Sequence, residues 1–491
     1  MSKSTNNVLA FDFGGGSGRA ILGYLEDGKI RMKEVHRFSN DTVTLNGTMY
    51  WDTLRHLYEI KQGIVKGQAA GGFQSIGIDT WGVDFGLIDA DGHLLESSVT
   101  YRDSRTEGMQ EAVFSKIGRE RVYEITGHQI DNINTIFQLY SLVRGRKAFL
   151  DRAETLLLTP DLFNYFLTGE KKAEFSIAST TQLLDIRSNT WSEEILSALD
   201  IPASLLPEVV APGTVIGSLK KEICEELGTG PAKVIAVCGH DTASAVAAVP
   251  TQEKDFLFAS CGTWGLFGTE LPGPVINENS KAFNISSEGG YGFTTTLLKN
   301  ITGLWLIQES VRQWQREGIS LSYGELEEMA SQAEPLVSFI DPDAPEFTAA
   351  GNMPERIRQY CARTGQKVPE SAGEIACTIN QSLAMKYRKT LEEIEKTTGK
   401  TYPVIHLIGG GIKSAMLCRM TAEAAGRRVV AGPVEATALG NIAVQLIALG
   451  EIRDIAEARR IVAASENTTE YLPQNAERWE EAYVRFREII G

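Results

Sequence analysis

Apolar and polar positions along this chain follow two rhythms. The first is short. Val8-Leu9-Ala10-Phe11 is an apolar run stopped by Asp12, and the runs at 19–25, 30–38, 74–80 and 83–89 also have the length and side chains of strands. Asp27-Gly28 and Asp91-Gly92 fit the tight turns between them. The second rhythm is helical, over 52–66, 105–118 and 133–148; in the last, Ile136, Leu139, Tyr140 and Val143 recur at helical spacing. Thr159-Pro160-Asp161 opens a further helix and Gly169 closes it, proline early and glycine late. Residues 233–237 read as a buried strand ending at Cys238-Gly239, and 241–249 as a helix of small residues stopped by Pro250.

The pattern then restarts. A strand, a turn and a return strand occupy 256–269. A long amphipathic helix is predicted at 376–397, with Ile379, Leu383, Tyr387, Leu391 and Ile394 on one face and Gly399 at its end. The strand Val404–Ile408 leads into Gly409-Gly410-Gly411, a helix closing at Gly426, and a helix over 434–449 closed by Gly450. Each half starts with strand hairpins and continues with alternating helices and strands, a weak repeat at domain scale. At 491 residues the chain exceeds what one core holds. The expectation is an α/β protein of two domains, 1–250 and 251–491.

Composition narrows the function. With 43% apolar and 23% charged residues, this is an ordinary globular composition. A net charge of −15 argues against a nucleic-acid partner, while leaving room for a small anion held by backbone N–H groups. The start, residues 1–7, is polar and lacks the apolar core of a secretion signal, and no apolar run reaches the length of a membrane span. A cytoplasmic protein without a membrane partner is expected. None of the six cysteines (224, 238, 261, 361, 377 and 418) forms a CxxC pair, so six free thiols are the default; whether Cys361 and Cys377 meet stays open.

Two turns carry the candidate chemistry. Asp12-Phe13-Gly14-Gly15-Gly16-Ser17-Gly18-Arg19 follows the first strand, and Ser260-Cys261-Gly262-Thr263-Trp264-Gly265 follows the strand that restarts the pattern. Glycine allows positive φ and close approach, so such turns can aim N–H groups at a phosphate. One turn is weak evidence; one in each half points to a nucleotide in a cleft between two related domains. Asp12 either holds Mg²⁺, directly or through water, or steadies the turn. Arg19 pairs with a phosphate or is solvated. The glycine spacing fits neither GxGxxG nor the P-loop, and Asp12-Phe13-Gly14 lacks the companion motifs of a protein kinase.

Asp241, after a buried strand, is either a helix N-cap or a general base taking a proton from an attacking hydroxyl. His240 more plausibly contacts substrate or fixes the turn. Thr263 could steady a moving phosphate, and Gly409-Gly410-Gly411 could admit a nucleotide to the backbone and helix start. Trp81-Gly82 is either the floor of a sugar site or core. Tyr101-Arg102-Asp103-Ser104-Arg105 either lines the same pocket or forms surface ion pairs, and Asn300 and Gln308 either face ligands or are ordinary helix and surface amides. Together these residues read as a kinase moving the terminal phosphate of ATP onto a small hydroxyl compound.

The chain resembles the FGGY carbohydrate kinases. The stretches that carry the resemblance are 77–85, 101–106, 240–246, 260–264, 298–305 and 431–436, in family order and across nearly the whole chain. Thr80-Trp81-Gly82-Val83-Asp84-Phe85, Tyr101–Thr106 and Ala431–Ala436 point to the branch that acts on L-rhamnulose. The resemblance implies two ribonuclease-H-like domains of the actin and hexokinase type with the active site in the cleft between them. It implies phosphorylation of L-rhamnulose by ATP with Mg²⁺ at the C1 hydroxyl, in L-rhamnose degradation. Carried over by position, Asp241 is the base. Gly15, Gly16, Ser17, Gly18, Arg19, Thr263, Gln308 and Gly410 bind ATP. Gly82, His240, Asp241, Thr242 and Asn300 bind sugar, and Asp12 is the metal-side carboxylate. Two departures stand out. Gly16 replaces a hydroxyl residue of closer relatives, and Asn134-Thr135-Ile136-Phe137-Gln138 stands where many sugar kinases of the family carry Lys-x-x-Trp. The competing readings are a kinase for L-fuculose or D-xylulose, an actin-like ATPase or sensor, and a catalytically dead sugar-binding regulator.

Overall fold

The computed structural model describes residues 6–491; the polar start at 1–5 lies outside the described residues. The chain forms two compact units, each described by itself. The first takes the residues up to Gln252 together with Glu270–Leu297 and Ala436–Ser465. The second takes Glu253–Thr269, Leu298–Glu435 and Glu466–Gly491.

The core sheet of the first unit contains β1 (Val8–Phe13), β2 (Ser17–Glu26), β3 (Lys29–Ser39), β4 (Ser75–Thr80), β5 (Thr214–Ser218) and β6 (Lys233–Ala236), in the order β5-β6-β4-β1-β2-β3. β1, β2 and β3 are successive antiparallel neighbours, whereas β4 runs parallel to β1 and β6 parallel to β4. The centre of the sheet is dry on both faces, and the alternation along β1 shows why. Leu9, Phe11 and Phe13 point into one core with Ile60 and Ile64 of the Thr53–Ala69 helix. Val8 and Ala10 point into another with Leu439 and Ile442 of the Ala436–Ala448 helix. Successive side chains of a strand face opposite ways, so one apolar run serves both layers.

The second unit repeats the plan. β7 (Leu257–Cys261), β8 (Trp264–Leu271), β9 (Thr295–Thr302), β10 (Val404–Ile408), β11 (Arg428–Ala431) and β12 (Thr469–Tyr471) lie in the order β9-β8-β7-β10-β11-β12. β7 and β8 are antiparallel; β7, β10 and β11 are parallel; β12 closes the edge antiparallel, as β5 does in the first unit. The weak repeat in the sequence is thus a repeat of sheet topology.

Several sequence-predicted elements shift. The helix expected at 105–118 is a 3₁₀ turn at Ser104–Thr106 and a helix at Met109–Ile117, separated by Gly108 at φ 72°. The helix expected at 133–148 breaks at Arg146 into Thr135–Gly145 and Lys147–Leu150. The long helix begins earlier than expected, at Ala372, because Ser371 and Glu374 form a reciprocal capping box. After the glycine triplet, a 3₁₀ turn at Gly410–Lys413 precedes the helix Ala415–Ala425. The compact units are not continuous in sequence. The Ala436–Ala448 helix belongs to the first unit because it supplies one side of that unit's core. All six cysteines are free thiols, Cys361 and Cys377 included. No helix among the described residues is long and apolar enough to cross a membrane.

Candidate active site

Parallel pairing gathers the carboxylates of the first unit. Asp12 lies opposite Asp79 in the β1–β4 register, and Thr80 bridges to His240 just past β6. The carboxyl ends of three parallel strands therefore bring together Asp12, Asp79, His240 and Asp241, where open α/β sheets hold their ligands. Across the hairpin, Arg19 sets Nη2 at 2.8 Å and Nε at 3.1 Å from the same Asp12 oxygen. Asp79 accepts from Asn441 Nδ2 at 2.6 Å, and its other oxygen is buried without a hydrogen-bond partner. Burial, and after it the charge of Asp12, raises the Asp79 pKa well above the usual carboxylate range, while the bond from Asn441 pulls it down.

Asp241 differs from its neighbours in access. A third of its side chain is exposed, against 10% for Asp12. It is the first residue of the Asp241–Ala247 helix, with His240 at the N-cap position, so the N-cap reading of Asp241 does not hold. Burial raises its pKa and the Asp12 charge adds to this, while His240 and the Thr242 backbone and hydroxyl pull it down. Thr242 Oγ1 lies 3.2 Å from Asp241 Oδ1. His240 stands between two carboxylates, with Nε2 at 3.5 Å from Asp241 and Nδ1 at 3.2 Å from Glu288.

The first turn closes by a bond from Gly14 N to Ser17 O at 2.9 Å, and Asn40 Nδ2 donates to Gly14 O at 2.8 Å. Gly14, Gly15 and Gly16 are not in the left-handed region, so conformational freedom is not what glycine supplies here. A methyl group on Gly15 or Gly16 would meet nothing within 4 Å. These glycines keep bare backbone beside open space. Gly18 is different: a methyl there would sit 2.2 Å from the Phe38 ring, so any larger residue would have to displace that ring.

Gly82 stands at a strained corner. Its carbonyl accepts from Asp84 N at 2.9 Å, and Val83 between them has φ 68°, a left-handed γ-turn on a β-branched residue. Val83 N donates to Thr180 Oγ1 at 3.1 Å, and Val83 O accepts from Thr135 Oγ1 at 2.6 Å. Such strain persists only where the surroundings over-determine it. Trp81 is core: it packs on Trp51 at 4.3 Å between ring centroids and donates its indole N–H to Asp84 at 2.9 Å. The 101–105 cluster is structural too. Asp103 accepts from Arg105 N at 2.9 Å and Met49 N at 2.8 Å, and Arg105 Nη2 donates to Gln138 Oε1 at 2.5 Å.

In the second unit, Thr263 Oγ1 lies 3.2 Å from Gln308 Oε1. Carbonyls of the turn accept from the start of the Trp305–Arg316 helix: Gly262 O from Leu304 N at 2.9 Å, and Thr263 O from Trp305 N at 3.2 Å. The glycine triplet adjoins this turn, since Ser260 pairs with Ile408 and a methyl on Gly411 would fall 2.6 Å from Cys261 Cβ. Only Gly409 uses positive φ, at 87°, and Gly410 is the residue with open space above it. Asn300 is half-buried in β9. The sequence-predicted residues thus form two sets: Asp12, Arg19, His240, Asp241 and Thr242 with the first turn and Gly82, and Thr263, Gln308 and Gly410 with Asn300. Two polar members escaped sequence reasoning. Asp79 looked like one polar position of a buried strand, and Glu288, in the short strand Ser286–Gly289, belongs to no motif.

The donor set suits a hard cation only loosely. Asp12 offers oxygen, which Mg²⁺ prefers, but Arg19 holds one Asp12 oxygen, and Asp79 beside it is fully buried. Among the described residues no group of three or more His, Cys, Asp or Glu is arranged to hold a metal. These residues fit an ion that keeps its water shell, not a protein cage.

Comparison with known proteins defines the class. Residues 7–248 match the N-terminal domain, and residues 257–449 the C-terminal domain, of the FGGY family of carbohydrate kinases. The chain belongs to this family and is a sugar kinase. Among curated relatives, a protein named rhamnulokinase from Bacteroides thetaiotaomicron is 41% identical over 488 residues, covering 99% of each chain. Rhamnulokinases from Oceanobacillus iheyensis, at 40% over 93% of this chain and 96% of that one, and Bacillus subtilis, at 36% over 96% of each, are similar along their length too. Of solved structures, a ligand-bound xylulose kinase from Lactobacillus acidophilus has a TM-score of 0.82 at 18% identity, covering 98% of this chain and 97% of that one. A Plasmodium falciparum glycerol kinase with ADP has a TM-score of 0.80 at 14% identity, covering 99% and 98%. At such identities these two report the fold alone.

Proposed function

We propose that the chain transfers the terminal phosphoryl group of ATP to the C1 hydroxyl of L-rhamnulose, giving L-rhamnulose 1-phosphate and ADP. The sugar comes from the relatives named rhamnulokinase, similar over nearly the whole chain. The reading of the site rests on one observation: Asp241 is the accessible carboxylate in a group whose other members are more deeply buried. As the C1 oxygen bonds to phosphorus, its proton passes to Asp241, and the bond between phosphorus and the leaving ADP oxygen breaks. Catalysis of this kind is mainly positioning and charge control. In the first unit the bare backbone at Gly15 and Gly16, with Ser17, Gly18 and Arg19, is assigned to ATP; in the second, Thr263, Gln308 and Gly410 are. Gly82, His240, Thr242 and Asn300 hold the sugar. Asp12 would hold Mg²⁺ through water, and the ion when bound supplies positive charge to the phosphate oxygens.

The test is ADP release from MgATP by the purified protein with L-rhamnulose, L-fuculose, D-xylulose, glycerol or no sugar. Clear preference for L-rhamnulose is expected. Preference for another ketose would keep the kinase and change the substrate; release indifferent to sugar would favour an ATPase. Asp241→Asn should lower kcat roughly a hundred- to ten-thousandfold with the KM for sugar little changed. Near-native turnover would remove Asp241 as the base.

A further inference from the structure

Asp241 works in an acidic setting. Asp12 and Asp79 stand on the sheet side, with Arg19 held on Asp12. Burial and the charge of Asp12 push the Asp241 pKa up, against its work as a proton acceptor. The compensating charge lies on the other side. His240 Nε2 is 3.5 Å from Asp241, and its Nδ1 is 3.2 Å from Glu288 Oε2, an ion-pair distance between two buried atoms that make no other hydrogen bond and are not aligned for one with each other; the Glu288 side chain is only 3% exposed. Glu288 Oε1 is in turn 3.7 Å from His128 Nδ1, and Ser286 Oγ is hydrogen-bonded to that same nitrogen at 2.6 Å. A row thus runs from the buried His128, Glu288 and His240 to the more exposed Asp241, entirely within the first unit. None of it beyond the His-Asp pair belongs to a recognisable motif.

We propose that Glu288 is a positioning residue for phosphoryl transfer: it orients His240 and holds it as an imidazolium beside Asp241, which keeps the base ionised. This rests on Asp241 as the base.

The electrostatics agree in direction. Burial works against a charged His240, but Glu288, Asp241 and Glu174 outweigh it and raise its pKa. His128 goes the other way: burial and the charge on His240 keep it neutral despite Glu288. Burial disfavours a charged Glu288, yet His240 and then His128 and Ser286 pull its pKa below the ordinary value. These directions all favour the proton on His240, between Glu288 and Asp241, over one on His128. Glu174 is held in place by bonds from Ser176 N at 2.8 Å and Gly239 N at 2.8 Å, so it does not replace Glu288 at the ring.

Two measurements test this. In ¹⁵N-histidine-labelled native protein, with His240 assigned by its loss in His240→Asn, the ring should be doubly protonated at pH 7; a neutral ring would overturn the proposal. That readout needs no substrate, so it fails or stands apart from the sugar assignment, and it does not depend on how a Glu288 variant folds. In Glu288→Gln, the ring should be neutral at pH 7 and kcat should fall at least tenfold with the KM for sugar little changed. The alkaline limb of its pH–rate profile should move to lower pH by about one unit or more, since an opposite charge this close shifts a pKa that far. Glu288→Asp, which keeps the charge, should restore part of both. A folded Glu288→Gln with the native His240 state and alkaline limb would refute Glu288 as the positioning group.

Discussion

Asp84 carries a carboxylate into a dry part of the first unit, directly after the strained corner at Val83. It accepts from Trp51 Nε1 at 2.6 Å, Trp81 Nε1 at 2.9 Å and Gln138 Nε2 at 3.1 Å. Burial nevertheless dominates and raises its pKa to about 6, from an unfolded value near 3.8. The native state thus binds this proton more tightly than the unfolded chain does. Its contribution to stability is fully present below the unfolded pKa and is lost as pH rises through about 6, by about 3 kcal/mol at most. Asp84→Asn has no such proton to bind. Urea unfolding should therefore show the native protein exceeding Asp84→Asn by a wider margin at pH 4.5 than at pH 7.5. Parallel curves across that range would mean that Asp84 titrates normally. Sequence could not show this: TWGVDF displays an aspartate three residues after a tryptophan, and only the fold shows that the indole N–H groups of Trp51 and Trp81 converge on one carboxyl oxygen.

At the scale of elements, the Asp241 helix is placed by a close crossing with the Ala436–Ala448 helix. A methyl on Gly440 would lie 1.7 Å from the Ser244 carbonyl oxygen, a contact with backbone that no side-chain rotation relieves. The same helix donates Asn441 Nδ2 to Asp79 and Gln445 Nε2 to Leu9 O, at 2.6 and 3.2 Å. Gly440→Ala should accordingly cost about 3 kcal/mol or more in chemical denaturation and depress activity by displacing the helix that begins at Asp241. Native stability in that variant would show that the two helices can separate without loss. Local signals predicted the elements themselves well: Gly169 and Gly399 end their helices in the left-handed region, as their places in the apolar pattern indicate. The misses have local causes as well. Gly108 and Arg146 interrupt helices whose apolar periodicity runs straight through, and the Ser371–Glu374 box starts a helix one turn before its apolar face begins.

At the scale of the whole molecule, the sequence reads as two consecutive halves because each half contains its own hairpin, parallel strands and helices. Tertiary packing crosses that division. Val8, Ala10, Ile21 and Ile30 of the first sheet are covered by Leu439, Ile442, Ala443 and Leu446, more than four hundred residues along the chain. Polar satisfaction crosses it too: Ser75 Oγ donates to Gln445 Oε1 at 2.7 Å in the buried core, and Arg459 Nη2 reaches Val246 O at 3.0 Å. Periodicity reports which face of a segment is apolar but not which distant segment covers it, so this dependence is invisible in the pattern. It has a physical consequence. A fragment ending at residue 250 would expose one whole face of its central strands and leave the buried Asp79 without its amide partner, penalties that together exceed the margin of a typical domain. Expressed alone, that fragment should lack near-ultraviolet circular dichroism and a cooperative melt. Co-expression with residues 251–491 should restore both, because the complement carries the 436–465 segment back to its sheet. A cooperative thermal transition in the isolated fragment would show instead that the first sheet closes its core without the returning helix.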